Sequence, residues 1–132
     1  MKKAFTLIEL MLVVIIIGVL SAMVVPRLAG RSEQARVQAA KTDINSSLAV
    51  ALDLYEMDLG HYPDLLEYLK TNSGEDATKW RGPYIKKKPL DPSGKAYVYK
   101  FPGEHNPNSY DLSSMGNDGR PDTNDDINNW SE

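Results

Sequence analysis

Four aspartates near the C-terminal end of the sequence have the residue type and spacing of a metal site. The four fall within nine residues and are Asp118, Asp122, Asp125 and Asp126. Clustered hard oxygen donors suit calcium, which binds about six to eight oxygens from carboxylates and carbonyls. The spacing is not that of an EF-hand, because Gly119 is second when counted from Asp118, whereas the EF-hand glycine is sixth.

The residues alone leave two interpretations of this stretch. A run of aspartates is most often a solvated acidic tail, and that is the interpretation that the acids alone favour. Apolar residues flank the run, with Tyr110 before it and Ile127 and Trp130 after it. These flanks favour a loop that is held at both ends and brings its carboxylates together.

The second chemically unusual residue is Glu9, the only ionisable residue in the apolar stretch between Phe5 and Val25. The stretch is long enough to cross a hydrocarbon core as a helix, which takes about 20 residues. A carboxylate at that depth costs several kcal/mol unless it has a partner, so it indicates a function. The partner that fits is a cation.

Two other interpretations of the N-terminal segment are an ordinary secretory signal peptide and a plain membrane anchor. Leu20-Ser21-Ala22 weakly resembles a signal-peptide cleavage site, but the apolar part of a signal peptide is shorter and free of acids. Glu9 therefore counts against both.

The composition narrows the function further. The 132 residues predict one globular domain with an appended segment, and the absence of cysteine excludes disulfides, thiol catalysis and thiolate metal sites. A net charge of −3 and a pI of about 5.4 give no indication of nucleic-acid binding. His61 and His105 both lie in predicted loops without a catalytic motif around them, so the sequence does not predict an enzyme.

The elements that must position these residues begin with a long helix. Good helix formers follow Pro26, so we expect a kink there and not a helix end. Gly60 is the expected helix end, and a continuous helix from Phe5 to Leu59 would be about 80 Å long. One apolar face recurs at steps of three and four and consists of Ile44, Leu48, Ala51, Leu52, Tyr55 and Leu59. The opposite face, predicted to be solvated, consists of Lys41, Asp43, Asn45, Ser46, Asp53, Glu56 and Asp58.

Shorter elements follow. A short helix is expected over 64–70, and Asp91-Pro-Ser-Gly94 has the residues of a type I turn. The stretches 96–101 and 109–113 are rich in strand-forming residues. They predict a small antiparallel sheet of two to four strands against the long helix.

The segment Lys2-Lys-Ala-Phe-Thr-Leu-Ile-Glu9 resembles the processing signature of type IV pilins and type II secretion pseudopilins. The resemblance implies that a prepilin peptidase cuts the Ala4–Phe5 bond and methylates the new amino group of Phe5. It also implies that Glu9 faces the charged terminus of a neighbouring subunit in a filament. Ala4 departs from the family pattern, which has glycine before the cut.

The rest of the chain resembles the major pseudopilins of type II secretion. The matching residues and segments are Trp80, Gly82-Pro-Tyr84, Asp91-Pro92, Gly94, Tyr97, Pro102-Gly103, Tyr110-Asp111, Ser114, Gly116, Asp118-Gly119, Asp126-Ile127, Asn129 and Trp130. Two departures are Ser93 in place of tryptophan and few glycines after Gly119.

This resemblance implies an α+β, type IV pilin-like fold with a long protruding N-terminal helix packed on a small antiparallel sheet. It divides the chain into a cytoplasmic leader (1–4), a transmembrane and filament-core helix (5–25) and a periplasmic globular domain (26–132). It also implies a calcium loop with side-chain ligands from Asp118, Asp125 and Asp126 and carbonyl ligands from Met115 and Thr123. Asp122 would be at most a water-mediated ligand.

The implied function is that of a structural subunit, not an enzyme. It would be stored in inner-membrane lipid and would polymerise into a periplasmic fibre that helps to export folded proteins. The implied partners are other copies of the chain, minor pseudopilins, the inner-membrane assembly platform and the prepilin peptidase. Two alternatives are a type IV pilin, many of which carry a disulfide that this chain lacks, and a membrane-tethered calcium-binding module that never polymerises.

Overall fold

A computed structural model describes residues 2–74 and 76–131 of the chain. The residues up to Ala35 form one unit and those from Arg36 onward form a second, compact unit. In the first unit every described residue up to Ser32 is exposed, including the whole apolar stretch. Its helix is long and apolar enough to span a membrane by length and composition.

Three helical segments follow one another without a break. Helix α1 runs over Leu7–Thr42, a single π-helical turn covers Asp43–Ser47, and α2 runs over Leu48–Leu59. Pro26 lies inside α1, which confirms that it does not end the helix. Gly60 ends α2 in the left-handed conformation (φ 84°), and its amide donates to the Glu56 carbonyl over 2.7 Å, as the sequence predicts.

The core of the second unit lies on the predicted apolar face of these helices. Five of the six predicted positions are buried, and Leu59 is half-buried. They pack against the following buried side chains from the rest of the unit: Leu66, Leu69, Tyr97, Tyr110 and Leu112.

The predicted solvated face holds only in part. Asp43 and Asp58 are half-buried, and each accepts a hydrogen bond from a tyrosine hydroxyl. Tyr97 donates to Asp43 over 2.9 Å and Tyr84 donates to Asp58 over 2.8 Å. Burial, followed by the bond to Asp43, raises the pKa of Tyr97, so this phenol remains a donor.

The short helix expected over 64–70 is present but shorter than expected, as a 3₁₀ helix over Leu66–Leu69. Side chains three residues apart lie in line on a 3₁₀ turn, and this places Leu66 and Leu69 together in the core. Leu65, the residue before this turn, is exposed.

The sheet has three antiparallel strands in the order β1 (Val98–Lys100), β2 (Asp111–Ser114) and β3 (Ile127–Asn128). Strand β1 pairs with β2 through Tyr99 and Leu112, and β2 pairs with β3 through Ser114 and Ile127. The first two strands are shorter than the predicted stretches, and β3 was not predicted individually. All four residues of β2 are buried, so the central strand carries the sheet side of the core.

The predicted turn at Asp91–Gly94 is confirmed, since the Gly94 amide donates to the Asp91 carbonyl over 2.9 Å. The Asp91 side chain is buried, and its Oδ1 accepts the amides of Ser93 and Lys95 over 2.9 and 2.8 Å. Its Oδ2 accepts the hydroxyl of Ser114 over 3.0 Å. Asp91 therefore joins the turn to the last residue of β2.

Candidate metal centre and N-terminal segment

The aspartate loop is the connection between β2 and β3. Strand β2 ends at Ser114 and β3 begins at Ile127, so both ends of the loop (115–126) are fixed by the sheet. This confirms the loop held at each end and excludes the free acidic tail.

Three of the four loop aspartates come together. Asp118, Asp125 and Asp126 each offer an oxygen, and these oxygens lie within 4.8 Å of one another. Asp122 is not one of this group; it is exposed and adopts a left-handed backbone with φ 62°. Aspartate tolerates that conformation better than most residues, so Asp122 shapes the turn.

The three carboxylates converge on one hydroxyl group. Oγ1 of Thr123 lies 3.3 Å from Oδ1 of Asp118, 2.7 Å from Oδ1 of Asp125 and 3.1 Å from Oδ1 of Asp126. A hydroxyl has a single proton, so it can donate to only one of them. The remaining negative charge at this point calls for a cation, and oxygen donors alone suit a hard divalent ion such as calcium.

Backbone amides hold one oxygen of each carboxylate. For Asp118 this is Oδ1, which accepts the Arg120 amide over 2.8 Å. Oδ2 of Asp125 accepts the amides of Asn117 and Asp118 over 2.8 and 3.0 Å, and Oδ2 of Asp126 accepts the Thr123 amide over 3.3 Å. The bond from the Thr123 hydroxyl, and then that from the Asp118 amide, lowers the pKa of Asp125. The ionised form that a metal needs is therefore favoured.

A glycine allows this close approach. A Cβ built on Gly116, where φ is 63°, would lie 2.5 Å from the Asp125 carbonyl oxygen and 2.6 Å from its Cγ. Another residue at this position would displace Asp125.

The two predicted carbonyl ligands have different positions. Met115 is the first residue after β2, and its carbonyl as a ligand stays a prediction. The Thr123 carbonyl accepts the Asp126 amide over 3.2 Å, while the Thr123 hydroxyl faces the carboxylates. The sequence predicted Thr123 only through its backbone and missed its side chain. No motif in the sequence signals this orientation.

Below the loop, two polar residues support β2 that sequence reasoning did not single out for this role. Asn129 accepts the Leu112 amide over 2.9 Å and donates to the Tyr110 carbonyl over 3.0 Å, which fixes the chain just after β3. The buried Asp111 accepts three amides, those of Glu104, His105 and Asn106, over 2.8 to 3.0 Å. The residues that supply these amides lie in the stretch from Pro102-Gly103 to Asn106-Pro107, a pattern that predicts only a loop.

The charge of Asp111 is well compensated. Burial raises the pKa of Asp111, but the bonds from the His105 amide, the His105 ring and the neighbouring amides outweigh it, and the net pKa is lowered. The His105 ring lies 3.0 Å from the Asp111 carboxylate and stacks on Trp130 at 4.1 Å between ring centroids. This cluster holds the residues that follow β3 against the loop 104–106.

At the N-terminal end, the predicted cleavage site precedes the helix. Ala4 and Phe5 lie in exposed, non-helical backbone, and α1 begins at Leu7. Phe5 is 84% exposed. The predicted cleavage bond is therefore accessible from solvent.

Glu9 has a local partner that sequence reasoning missed. Its carboxylate accepts the amide and the hydroxyl of Thr6, both over 3.3 Å, and its amide donates to the Thr6 hydroxyl over 3.3 Å. This reciprocal arrangement is a capping box. The pattern Thr-x-x-Glu before an apolar run could have revealed it.

Comparison with known proteins agrees with both regions. Residues 1–25 match the prokaryotic N-terminal methylation motif, and residues 27–130 match the family described as type II secretion system (T2SS), protein G. The first match defines the class of N-methylated, pilin-like subunits. The second covers most of the chain and separates it from type IV pilins.

Individual relatives extend along the whole chain. The type II secretion system core protein G of Escherichia coli K12 is 44% identical over 135 residues, covering 98% of this chain and 91% of that relative. The corresponding proteins of Pseudomonas aeruginosa and Vibrio cholerae are both 41% identical and cover 98% of this chain. The chain therefore belongs to the type II secretion protein G family, the major pseudopilins.

A solved structure shows the same fold. The crystal structure of the major pseudopilin from enterohaemorrhagic E. coli superposes with a TM-score of 0.62 at 34% identity, covering 80% of this chain and 95% of that chain. The long N-terminal helix and the small antiparallel sheet expected from the sequence are confirmed. The relatives are structural components of a secretion system, and the converging carboxylates are a group of the kind that can hold a metal ion.

Proposed function

We propose that this chain is a membrane-stored subunit that polymerises into the periplasmic fibre of a type II secretion system. The observation that carries the proposal is the exposed apolar stretch Phe5–Val25 with Glu9 as its single charge. Such a surface can be solvated only by lipid or by similar helices. Residues 5–25 span the inner membrane before assembly, residues 1–4 are cytoplasmic, and residues 26–132 are periplasmic.

Cleavage of the Ala4–Phe5 bond creates the positive charge that the apolar stretch lacks. The new amino group of Phe5, once methylated, remains cationic and pairs with Glu9 of a neighbouring copy. Two opposite charges away from water attract strongly, although desolvation offsets much of the gain. The pair therefore sets the register of subunits more than it adds net stability.

Before that pairing, the capping box with Thr6 satisfies Glu9 within its own chain. The carboxylate gives up hydrogen bonds to a neutral group and gains a charged partner, since charge-assisted bonds are roughly twice as strong as neutral ones. Minor pseudopilins, the assembly platform of the inner membrane and the prepilin peptidase are the further partners of this cycle.

In the periplasmic domain, calcium bound in the β2–β3 loop provides the stabilisation that a disulfide would provide, since the chain has no cysteine. Asp118, Asp125 and Asp126 supply carboxylate ligands, and Met115 and Thr123 supply carbonyls. The ion supplies positive charge that offsets the repulsion among the carboxylates. The hydrogen bonds from the amides of Asn117 and Asp118 orient the Asp125 carboxylate, that from Thr123 orients Asp126, and that from Arg120 orients Asp118.

Replacement of Glu9 tests the assembly proposal. We expect Glu9→Gln to abolish or derange fibre formation in a secreting strain, because it leaves the amino terminus of Phe5 without a counter-charge. Glu33→Gln is the matched control, since Glu33 lies in the same helix beyond the apolar stretch. Fibres are counted by microscopy after overexpression.

The outcome also separates this proposal from the membrane-tethered calcium module. Normal fibres from Glu9→Gln would contradict the pairing. Absence of fibres from the unmodified chain would favour a tethered module that never polymerises.

A further inference from the structure

One lysine outside the aspartate loop lies directly against it. A Cβ built on Gly119 would overlap the ammonium nitrogen of Lys95 and would lie 2.9 Å from its Cε and 3.4 Å from its Cδ. Gly119 adopts φ 68° and has no side chain, and the space that a Cβ would occupy is taken by the Lys95 side chain. The charged end of Lys95 is thereby placed beside the residue that follows Asp118.

The backbone of Lys95 is fixed relative to the loop. Its amide donates to Asp91 Oδ1 over 2.8 Å, and its carbonyl accepts the Asp91 amide over 2.7 Å. The other oxygen of the same carboxylate holds Ser114, the residue immediately before the loop. One buried aspartate therefore sets the position of the lysine and the start of the loop together.

Lys95 acts on the loop through space and not through a contact ion pair. Within the described ranges 2–74 and 76–131, the ion pairs of lysine with a carboxylate include Lys100 with Glu104 but none for Lys95. Within those ranges the lysine therefore forms no ion pair with the carboxylates of Asp118, Asp125 and Asp126, whose Oδ1 atoms face the Thr123 hydroxyl.

The formal charges of this region match a divalent ion. The loop 115–126 contains four aspartates and one arginine, which give a formal charge of −3. Lys95 reduces the charge to −2, which one divalent ion neutralises. Without the lysine the region would match a trivalent ion.

We infer that Lys95 is a specificity-determining residue of the loop, a fixed counter-charge that adjusts it to divalent cations. The inference rests on the proposed calcium site. Lys95 stabilises the ion-free loop by offsetting repulsion among the aspartates. It also weakens the binding of every cation, and it does so more for a higher ionic charge.

A charge series at position 95 tests this, with calcium and terbium binding measured by titration calorimetry on the full-length protein in detergent at low salt. A single charge roughly 10 Å from a divalent ion in water changes binding about fourfold. We therefore expect Lys95→Met to tighten calcium binding about fourfold and Lys95→Glu about sixteenfold, with Lys95→Arg close to the unmodified chain. Terbium binding to Lys95→Met should tighten about eightfold, since its charge is three.

Two controls distinguish an effect of the charge at position 95 from a structural disturbance. Lys70→Met makes the same substitution just after the 3₁₀ turn Leu66–Leu69 and should leave calcium binding unchanged. Added salt at about 1 M should shrink the differences, because the Debye length falls to about 3 Å. A structural disturbance would not order the affinities of the arginine, methionine and glutamate variants by charge.

The results distinguish the two proposals. If the unmodified chain binds calcium and the affinities of the four proteins do not follow their charge, the role of Lys95 is overturned and the calcium site stands. If the unmodified chain does not bind calcium or terbium, the calcium site itself is overturned.

Discussion

The start of the apolar helix and the β2–β3 loop both contain carboxylates that a cation would stabilise. The two regions differ in the partners that the same chain supplies to these carboxylates. At the helix start, Glu9 accepts hydrogen bonds from the amide and the hydroxyl of Thr6 in its own chain. In the loop, three carboxylates already converge on the Thr123 hydroxyl within one chain. The loop therefore brings several carboxylates together within one chain, whereas the partner of Glu9 within its own chain is the neutral Thr6. Under the proposed function, one ion completes the loop and a second copy of the chain completes Glu9.

The largest effect in this comparison is expected when one of the three converging carboxylates of the loop is removed. We expect Asp125→Asn to weaken calcium binding at least about tenfold, a loss that even supporting residues of a metal site can cause. The substitution removes one negative charge, replaces one carboxylate oxygen by an amide nitrogen that cannot bind calcium, and leaves the Asn117 and Asp118 amides with a poorer acceptor. Calorimetric titration of the full-length protein in detergent measures the effect.

Asp122→Asn is the matched control for this change. It removes the same charge from the same loop, and asparagine tolerates the left-handed backbone of position 122. Its calcium affinity should stay within a few fold of the unmodified chain. Equal losses in both variants would show that the loop acts through total charge and not through the three converging carboxylates.

A smaller effect is expected from Asp111, which supports the sheet but does not face the loop centre. Asp111→Asn should lower the free energy of unfolding by about 1–3 kcal/mol, because it leaves backbone amides with a poorer acceptor. Chemical denaturation with and without calcium measures it. An equal loss in both conditions places Asp111 in the framework, and a loss confined to the calcium-bound protein would contradict that placement.

The same variant has a predicted pH dependence. The pKa of Asp111 is lowered in the folded protein, so its contribution is complete above the unfolded value of about 3.9 and is lost as the pH falls through the folded value. Stability of the unmodified chain should therefore fall below about pH 4 more steeply than that of Asp111→Asn.

The smallest effect belongs to the capping box. Thr6→Ala should destabilise the first turn of α1 by about 0.5–2 kcal/mol, as for other helix caps, without changing calcium binding. Amide hydrogen exchange at Glu9, whose amide donates to the Thr6 hydroxyl, should become faster in detergent. Thr42→Ala is the control, because the Thr42 hydroxyl donates inside the helix to the Gln38 carbonyl over 3.0 Å. Unchanged hydrogen exchange in Thr6→Ala would contradict the role of Thr6 as the helix cap that holds Glu9.

The two regions also differ in how far the sequence predicts them. The start of the helix is determined by residues that are close together in the sequence. An apolar stretch with one acidic residue, next to the processing signature, was therefore enough to predict a helix long enough to span a membrane. Gly60 and the Asp91–Gly94 turn are local in the same way, and both are confirmed. The strand-forming residues over 96–101 and 109–113 predicted β1 and β2 in the same way, and the family resemblance supplied the type IV pilin-like arrangement.

What the sequence missed depends on contacts between distant residues. The Thr123 hydroxyl faces the three carboxylates only because β2 and β3 hold the loop ends together. Asp43 was assigned to solvent, yet it pairs with Tyr97, 54 positions away. No local pattern encodes these pairings.

The π-helical turn at Asp43–Ser47 was missed for another reason. Steps of three and four residues describe an apolar face whether or not one wider turn interrupts it. The predicted face therefore remained correct through Ile44 and Leu48, although the backbone between them is not α-helical.

Thermal unfolding of the full-length protein in detergent, with calcium and with excess chelator, tests the calcium loop most directly. At about 100 times the dissociation constant, calcium should add roughly 2.7 kcal/mol to the free energy of unfolding and raise the melting temperature by about 10 to 20 °C. Magnesium at the same concentration should have a smaller effect, because it demands stricter geometry. Identical melting in calcium and in chelator would contradict the account and leave the β2–β3 loop without a metal.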